Sequence, residues 1–537
     1  MWKALRDISQ DPECGRIIFV LDALDECERK DQKDLIRRLK GLECHEESQV
    51  STHHLKVLVT SRPYFNIENE FRELIENIPG IRLPTEKLST QLQSEMNHVV
   101  HTRMSKLGPR IVRETIREEL LSGMLVTENR TYLWLDLIFK IIEEMPRIDR
   151  QAVKSLFKDL PTTVDDVYNS ILRKATDQAQ AKKLLQIIVA ATRPLSLDEV
   201  GVALAIAEET QCYEDLELQR GEQLAIAVRN TCGLFVHIVD ETVFLIHQSA
   251  KDFLVSLSEE VSPIESSWKY SISVSESALL LTSICIRFLY LKDFGKKQAP
   301  PIRNAEDLCS SYDFLEYSAN NWAAHFGHMT IKYRHELFPA AIQLCSVEND
   351  QYMDWEIAVS KIGRSVNPSP LHIASCLGLD MIVQTLLARP DVDINSTTSD
   401  TRTPLSLAII QGHEGIVKLL LTAPGIDLSL TDSDGDSPLS LAILHSHEGI
   451  VKLLLAAPSI NLCLTDGYGN LPLSLAIRCE HEGIVKLLLA APGIDLSLTD
   501  SDGNSPLSLA IIQGHEGIVK LLLAAPGIDR GLVELDC

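Results

Sequence analysis

The chain is 537 residues long, room for three or four domains, and an apolar content of 45% is that of a folded protein. Its 75 acidic against 51 basic side chains give a formal charge of −24, which argues against a phosphate-backbone footprint and so against a nucleic-acid partner. The twelve cysteines lack C-x-x-C or His-paired spacing, and no uninterrupted apolar run approaches bilayer length, so reduced thiols in a cytoplasmic protein without disulfides, zinc or a membrane span are expected.

The first readable element is the apolar run Ile17-Ile18-Phe19-Val20-Leu21, which predicts a buried parallel strand and leads into Asp22, Asp25 and Glu26. Carboxylates at the C-terminal edge of such a strand can hold Mg²⁺ through water and orient a nucleophile. A second strand, Leu55 to Val59, ends in Thr60-Ser61-Arg62-Pro63, where a hydroxyl and a guanidinium can sense a phosphate. No G-x-x-x-x-G-K-[ST] occurs, and sixteen residues precede the first strand, too few for a phosphate-binding strand, loop and helix.

The middle reads as helical. Periodicity predicts helices over Thr90 to Lys106, Arg110 to Met124 and, more apolar and buried, Tyr132 to Met145. Helices over Ala181 to Thr192, Leu197 to Glu209 and Glu222 to Asn230 precede two strands folded about Asp240-Glu241-Thr242. A closing helix, Ser249 to Leu257, completes a winged-helix order. The Ser-rich stretch Ser258 to Ser277 reads as a loop and Lys292 to Pro301 as a linker. The aromatics of Ser310 to Phe326 fall at helical spacing and read as core, not as a ligand cage.

From Pro370 the dipeptide Pro-Leu returns at Pro404, Pro438, Pro472 and Pro506, a period of 34 residues that means a solenoid. In the unit from Gly435 to Tyr468, Ser437 is a hydroxyl N-cap and Pro438 the first helical residue. His447-Glu448-Gly449 breaks that helix, and Ile450, Val451, Leu453, Leu454 and Leu455 form the stripe of a second one, stopped by Pro458. The remainder, with the turn pair Tyr468-Gly469, suits an extended finger.

This unit closely resembles the ankyrin repeat. The first copy keeps the family's Pro-Leu-His-x-Ala as Pro370-Leu371-His372-Ile373-Ala374, whereas Ser406, Ser440, Ser474 and Ser508 stand at the His position later, where a hydroxyl can replace only part of the imidazole's bonding. The strand with D-x-x-D-E, the strand with T-S-R-P, and the later Thr131-Tyr132-Leu133-Trp134-Leu135, Leu160-Pro161, Arg193-Pro194-Leu195-Ser196-Leu197-Asp198-Glu199 and Ile246-His247-Gln248-Ser249 resemble the NACHT class of signal-transducing ATPases, in the fungal form with ankyrin repeats.

The resemblance implies a multidomain, mostly α chain: a partial α/β P-loop NTPase (NACHT) remnant over 1–88, a helical domain over 89–180, a winged-helix-like domain over 181–258, a helical linker region over 259–366 and five ankyrin repeats over 367–537. By the same resemblance Asp22 holds Mg²⁺, Asp25 or Glu26 positions the attacking water, Arg62 reads the nucleotide state and His247 touches the ADP phosphate. Without a phosphate loop the expectation is no competent ATPase and no ATP, ADP or Mg²⁺ on this chain, only on an intact relative. The short stretches at both ends make a truncated reading the expectation.

The near-identical copies differ at the end of the first helix, which in such arrays borders the partner-binding concave face. His445, Arg478, Cys479 and Glu480 therefore predict a recognition surface for a protein ligand. Three functional readings stand: a receptor-like scaffold with a degenerate NACHT module and the capacity to homo-oligomerise, a nucleotide switch whose phosphate loop is supplied elsewhere, and a plain ankyrin adaptor.

Overall fold

The computed structural model describes residues 17–22, 24, 27, 29–41, 55–61, 67, 71, 89–107, 111, 113–127, 131–145, 147–158, 160–256, 267–294, 309–346, 368–500 and 503–526. The chain divides into two compact units, Met1–His98 and Val99–Cys537.

In the first unit, β1 (Ile17–Leu21) and β2 (Leu55–Val59) pair in parallel, Ile17 opposite Leu55 and Leu21 opposite Val59. Helix α1 (Arg29–Gly41) supplies Ile36, which packs with Leu24 and Ile67 into a small core. The apolar runs predict strands buried on both faces, but Ile18 and Val20 are 66% and 54% exposed. Alternate side chains of β1 thus reach solvent, and in β2 the neighbours Val57 and Leu58 are both exposed.

The second unit carries α3 (Glu114–Val126), α4 (Tyr132–Glu144), α5 (Arg150–Lys158) and α6 (Val164–Arg173); α2 (Ser89–Leu107) runs across the division. Thr131 caps α4 through the Trp134 amide at 3.1 Å, and the Trp134 indole donates to the Pro161 carbonyl at 2.9 Å, so a largely apolar helix buries its one polar handle without an orphan.

Next come α7 (Gln178–Ala190), β3 (Leu195–Ser196), α8 (Leu197–Ala205), α9 (Gly221–Cys232), β4 (Val236–Val239), β5 (Thr242–Leu245) and α10 (Gln248–Leu254). The strands form one antiparallel sheet in the order β3-β5-β4, and the hairpin turns through Asp240 and Glu241, both at positive φ as a two-residue turn requires. This is the winged helix the sequence predicts, with β3 as an unforeseen third strand.

Helices α11 (Val274–Leu289), α12 (Leu315–His328) and α13 (Ile331–Leu344) follow. The predicted loop ends sooner than expected: Ser273 caps the Glu276 amide at 3.3 Å and α11 starts at Val274. Phe314, Tyr317, Trp322 and Phe326 are sealed from solvent, so the aromatic stripe is core.

The five repeats are the pairs α14 (Pro370–Leu377) and α15 (Asp380–Leu387), α16 (Pro404–Ile410) and α17 (Glu414–Thr422), α18 (Pro438–Leu444) and α19 (Glu448–Leu455), α20 (Pro472–Arg478) and α21 (Glu482–Leu489), and α22 (Pro506–Ile512) and α23 (Glu516–Ala524). The break between helices lies slightly earlier than the sequence suggests, at His445 to His447, because Glu448 and Gly449 already open α19. Ile450, Val451 and Leu454 are fully buried, a stripe that one unit alone cannot cover.

His372 accepts the Ser369 amide on Nδ1 at 3.0 Å and donates through Nε2 to the Arg402 carbonyl of the next finger at 3.1 Å. Three of the four serine copies keep only a contact to the N-cap residue, and Ser474 keeps none. Ser406 accepts the Thr403 amide at 2.9 Å, and Ser440 and Ser508 pair with the N-cap hydroxyls of Ser437 and Ser505, each at 2.9 Å. A hydroxyl is too short to span two units.

Candidate functional site

At the ends of β1 and β2 the Thr60 hydroxyl donates to Asp22 Oδ1, while the Thr60 amide donates to the Leu21 carbonyl at 2.9 Å and the Leu24 amide to the Thr60 carbonyl at 3.0 Å. The parallel register thus sets the first carboxylate against the first hydroxyl of the second motif. Asp25, Glu26 and Arg62 lie outside the described residues. The position of Asp22 as a strand-end carboxylate follows from β1, and its hydroxyl partner from the pairing with β2.

His247, in the second unit, is the N-cap of α10. Its Nδ1 accepts the Ser249 amide at 3.1 Å and lies 2.8 Å from the Ser249 hydroxyl, which is itself 3.0 Å from the Tyr168 hydroxyl of α6. An Nδ1 that accepts from an amide leaves the proton on Nε2, so the exposed edge of the ring is a donor, the right character for an anionic oxygen. Ser249 and Tyr168 orient it. Tyr168 gives no local sequence signal, being 81 residues from Ser249.

In the array, the four predicted recognition residues separate into different environments. His445 is exposed, and its ring lies 5.9 Å from that of His447, nearly parallel; burial of its inner edge, then the charges of His447 and Arg402, hold its pKa below the ordinary histidine value. Arg478 is half-buried and pairs at 2.8 Å with Asp500, whose side chain is fully enclosed. The Cys479 thiol is pushed up by burial and then by the charge of Asp466. Glu480 is exposed and stands 3.6 Å from His515 of the next unit.

Backbone geometry separates them further. The residue that ends the turn after the first helix has positive φ in every copy, and Gly378, Gly412 and Gly514 meet that need without a Cβ. Ser446 and Glu480 hold the same position at φ 58°. A side chain there is strained by about 1 kcal/mol. Sequence comparison of the copies finds both substitutions, but the strain is visible only in the backbone. Two further features escaped it: Asp500 as the partner of Arg478, and Tyr468, which stands 82% exposed on its finger.

Comparison with known proteins bears on each region. Residues 371–466 and 459–532 match a model described as ankyrin repeats (3 copies), residues 168–262 one described as the winged helix domain of GPI inositol-deacylase, and residues 1–62 the NACHT-related model described as nephrocystin 3, N-terminal. The vegetative incompatibility protein HET-E-1 of Podospora anserina is 26% identical over 262 residues, 47% of this chain and 18% of that relative. These likenesses support a NACHT-type protein with ankyrin repeats.

The chain spans under a fifth of the length of the relative it matches. The winged-helix match covers Tyr168, His247 and Ser249, the three residues that share one hydrogen-bonded chain. Among the described residues no helix is long and apolar enough to cross a membrane, and no group of three or more His, Cys, Asp or Glu side chains is arranged to hold a metal ion.

Proposed function

We propose that this protein is an NLR-like receptor scaffold whose ankyrin array binds a polypeptide ligand through the surface around His445, Arg478, Cys479 and Glu480. One observation carries the reading: Glu480 is kept at φ 58°, where three other copies hold glycine, and unrelieved backbone strain on an exposed charged residue points to use of that side chain. Exposed His445, one unit away at the same helix end, extends the surface, and Tyr468 offers an aromatic anchor on the adjoining finger. Arg478 contributes through its pairing with Asp500, as a support more than a free contact.

The test is to make the odd copies match their siblings by His445→Gln, Ser446→Gly, Cys479→Gln and Glu480→Gly, leaving Arg478 and its pair with Asp500 in place. Proximity labelling in cells expressing either version should give a partner with the original chain and lose it with the matched one, while the melting temperature does not fall. Equal labelling of the same partner by both would remove the proposed surface.

For nucleotide, the reading rests on the sequence. Asp22 in the first unit offers a carboxylate and His247 in the second an Nε2 donor, each by itself in keeping with the family's contacts to Mg²⁺ or to a phosphate, but the sequence has no phosphate-loop motif to supply the backbone amides and lysine that cradle the phosphates. We therefore assign no ATPase cycle to this chain. Calorimetric titration with Mg-ATP should show no heat of binding; saturable binding would instead support the nucleotide-switch reading, and ATP-driven homo-oligomerisation would support it more directly.

A further inference from the structure

The first repeat departs from its siblings in how it uses the acid that opens its second helix. In the later units this residue is Glu414, Glu448 or Glu482, and each lays its carboxylate over the second residue of the next unit's second helix: a Cβ built on Gly449, Gly483 or Gly517 would fall 1.9, 1.9 or 1.7 Å from that carboxylate. In the first unit the acid is Asp380, one methylene shorter, and a Cβ built on Gly415 would meet nothing within 4 Å. The ladder of acid over glycine therefore does not include Asp380.

Its carboxylate turns to Arg334 of α13. One Arg334 Nη lies 3.1 and 3.3 Å from the two Asp380 oxygens, its Nε donates to the Met329 carbonyl at 3.0 Å, and its other Nη donates to the Gly327 carbonyl. Those carbonyls close the C-terminal end of α12, where a helix leaves acceptors unpaired and a cation is favoured. The Arg334 side chain is 18% exposed and that of Asp380 51%, so the pair is shielded from the arginine side only. A planar fork with five donors can make all of these bonds together, which a lysine cannot.

The other end of α12 is tied to the winged helix. The Thr192 amide donates to the Tyr317 hydroxyl at 3.2 Å, and the Thr192 hydroxyl to Asn321 at 2.7 Å. Arg193 lies 5.0 Å over the Tyr317 ring and forms a two-pronged pair with buried Glu199. The Tyr317 hydroxyl, having accepted from Thr192, donates to His325 Nε2 at 2.9 Å. A single helix thus carries polar anchors to the winged-helix turn along one stretch and to the first repeat at its end.

We propose that Arg334 and Asp380 form a clamp through which the placement of the first ankyrin unit sets the packing of α12 against the winged-helix turn at Thr192 and Arg193. The proposal needs no ligand and stands apart from the recognition surface above. Hydrogen exchange on the full chain tests it with Arg334→Gln, Asp380→Asn and the double variant. Asp380→Asn touches neither α12 nor the turn, yet amides of residues 322–329 and of Thr192 should exchange about tenfold faster, the scale of one lost charge-assisted bond. Amides of α4 and of α19 should stay within about twofold, and the double variant should be no faster than Arg334→Gln alone. Acceleration confined to α15, uniform acceleration along the chain, or additive effects in the double variant would each overturn the clamp.

Discussion

The guanidinium of Arg478 reaches 2.8 Å to the carboxylate of Asp500, which no solvent touches. The Asn504 amide also donates to Asp500, at 2.8 Å, but removing the cation leaves a buried charge with less to answer it. Arg478→Ala should destabilise the array by about 2 kcal/mol, read from urea unfolding followed by circular dichroism. Asp500→Asn in the same background should recover part of that loss.

Leu471 stands where the other copies place Ser or Thr, and the fully buried Ser474 hydroxyl three residues on has no hydrogen-bond partner. Leu471→Ser restores the N-cap pair seen at Ser437 and Ser440. The expected gain is about 1 kcal/mol, seen as a raised melting temperature with unchanged helical signal.

Asp436 is pushed up to about 6, first by burial and then by Asp432, Asp466 and Asp434. A carboxyl whose folded pKa lies above its unfolded 3.8 lends stability that is complete below pH 3.8 and lost as pH rises through about 6. The next two copies hold Asn470 and Asn504 at this position, and Asn470 donates to buried Asp466 at 2.9 Å. Asp436→Asn should gain about 1 kcal/mol at pH 7, a figure reduced for the group's partial exposure, and nothing near pH 3.5.

His325 has the opposite sign. Burial, then the charge of His328, lowers it from 6.5 to about 4. The unfolded chain takes up its proton first as pH falls, so the stability held above pH 6.5 declines by about 3 kcal/mol down to pH 4. His325→Gln keeps an acceptor for Tyr317 and should flatten that part of the pH profile of unfolding, measured from pH 4 to 7.

Glu480→Gly should stabilise by about 1 kcal/mol by removing the left-handed strain, even though it also removes the contact to His515. Thermal melts of the two chains side by side settle the sign.

The repeats are legible in the sequence because the copies delimit one another: the Pro-Leu dipeptide fixes where each first helix starts, and the apolar stripe of Ile450, Val451 and Leu454 fixes what it must bury. The winged helix is legible through Asp240 and Glu241, a turn signal between two short β-prone runs. Less of the rest shows. Helix α11 is masked by the serines that precede it, although one of them, Ser273, is its cap. The candidate site residues are readable as types, but their partners come from elsewhere in the chain: Tyr168 reaches Ser249, and Arg334 meets Asp380, only after helices separated by long stretches have packed.

The acid-over-glycine ladder has a consequence for how such a chain can change length. Each rung joins one copy to the next through the same two side positions, and the second and fifth copies are identical from Pro404 to Leu421 and from Pro506 to Leu523. A duplication or excision in whole multiples of the period would re-form every joint from parts already proven to fit. The array can therefore be lengthened or shortened by recombination between copies while the clamp at Asp380 stays where it is.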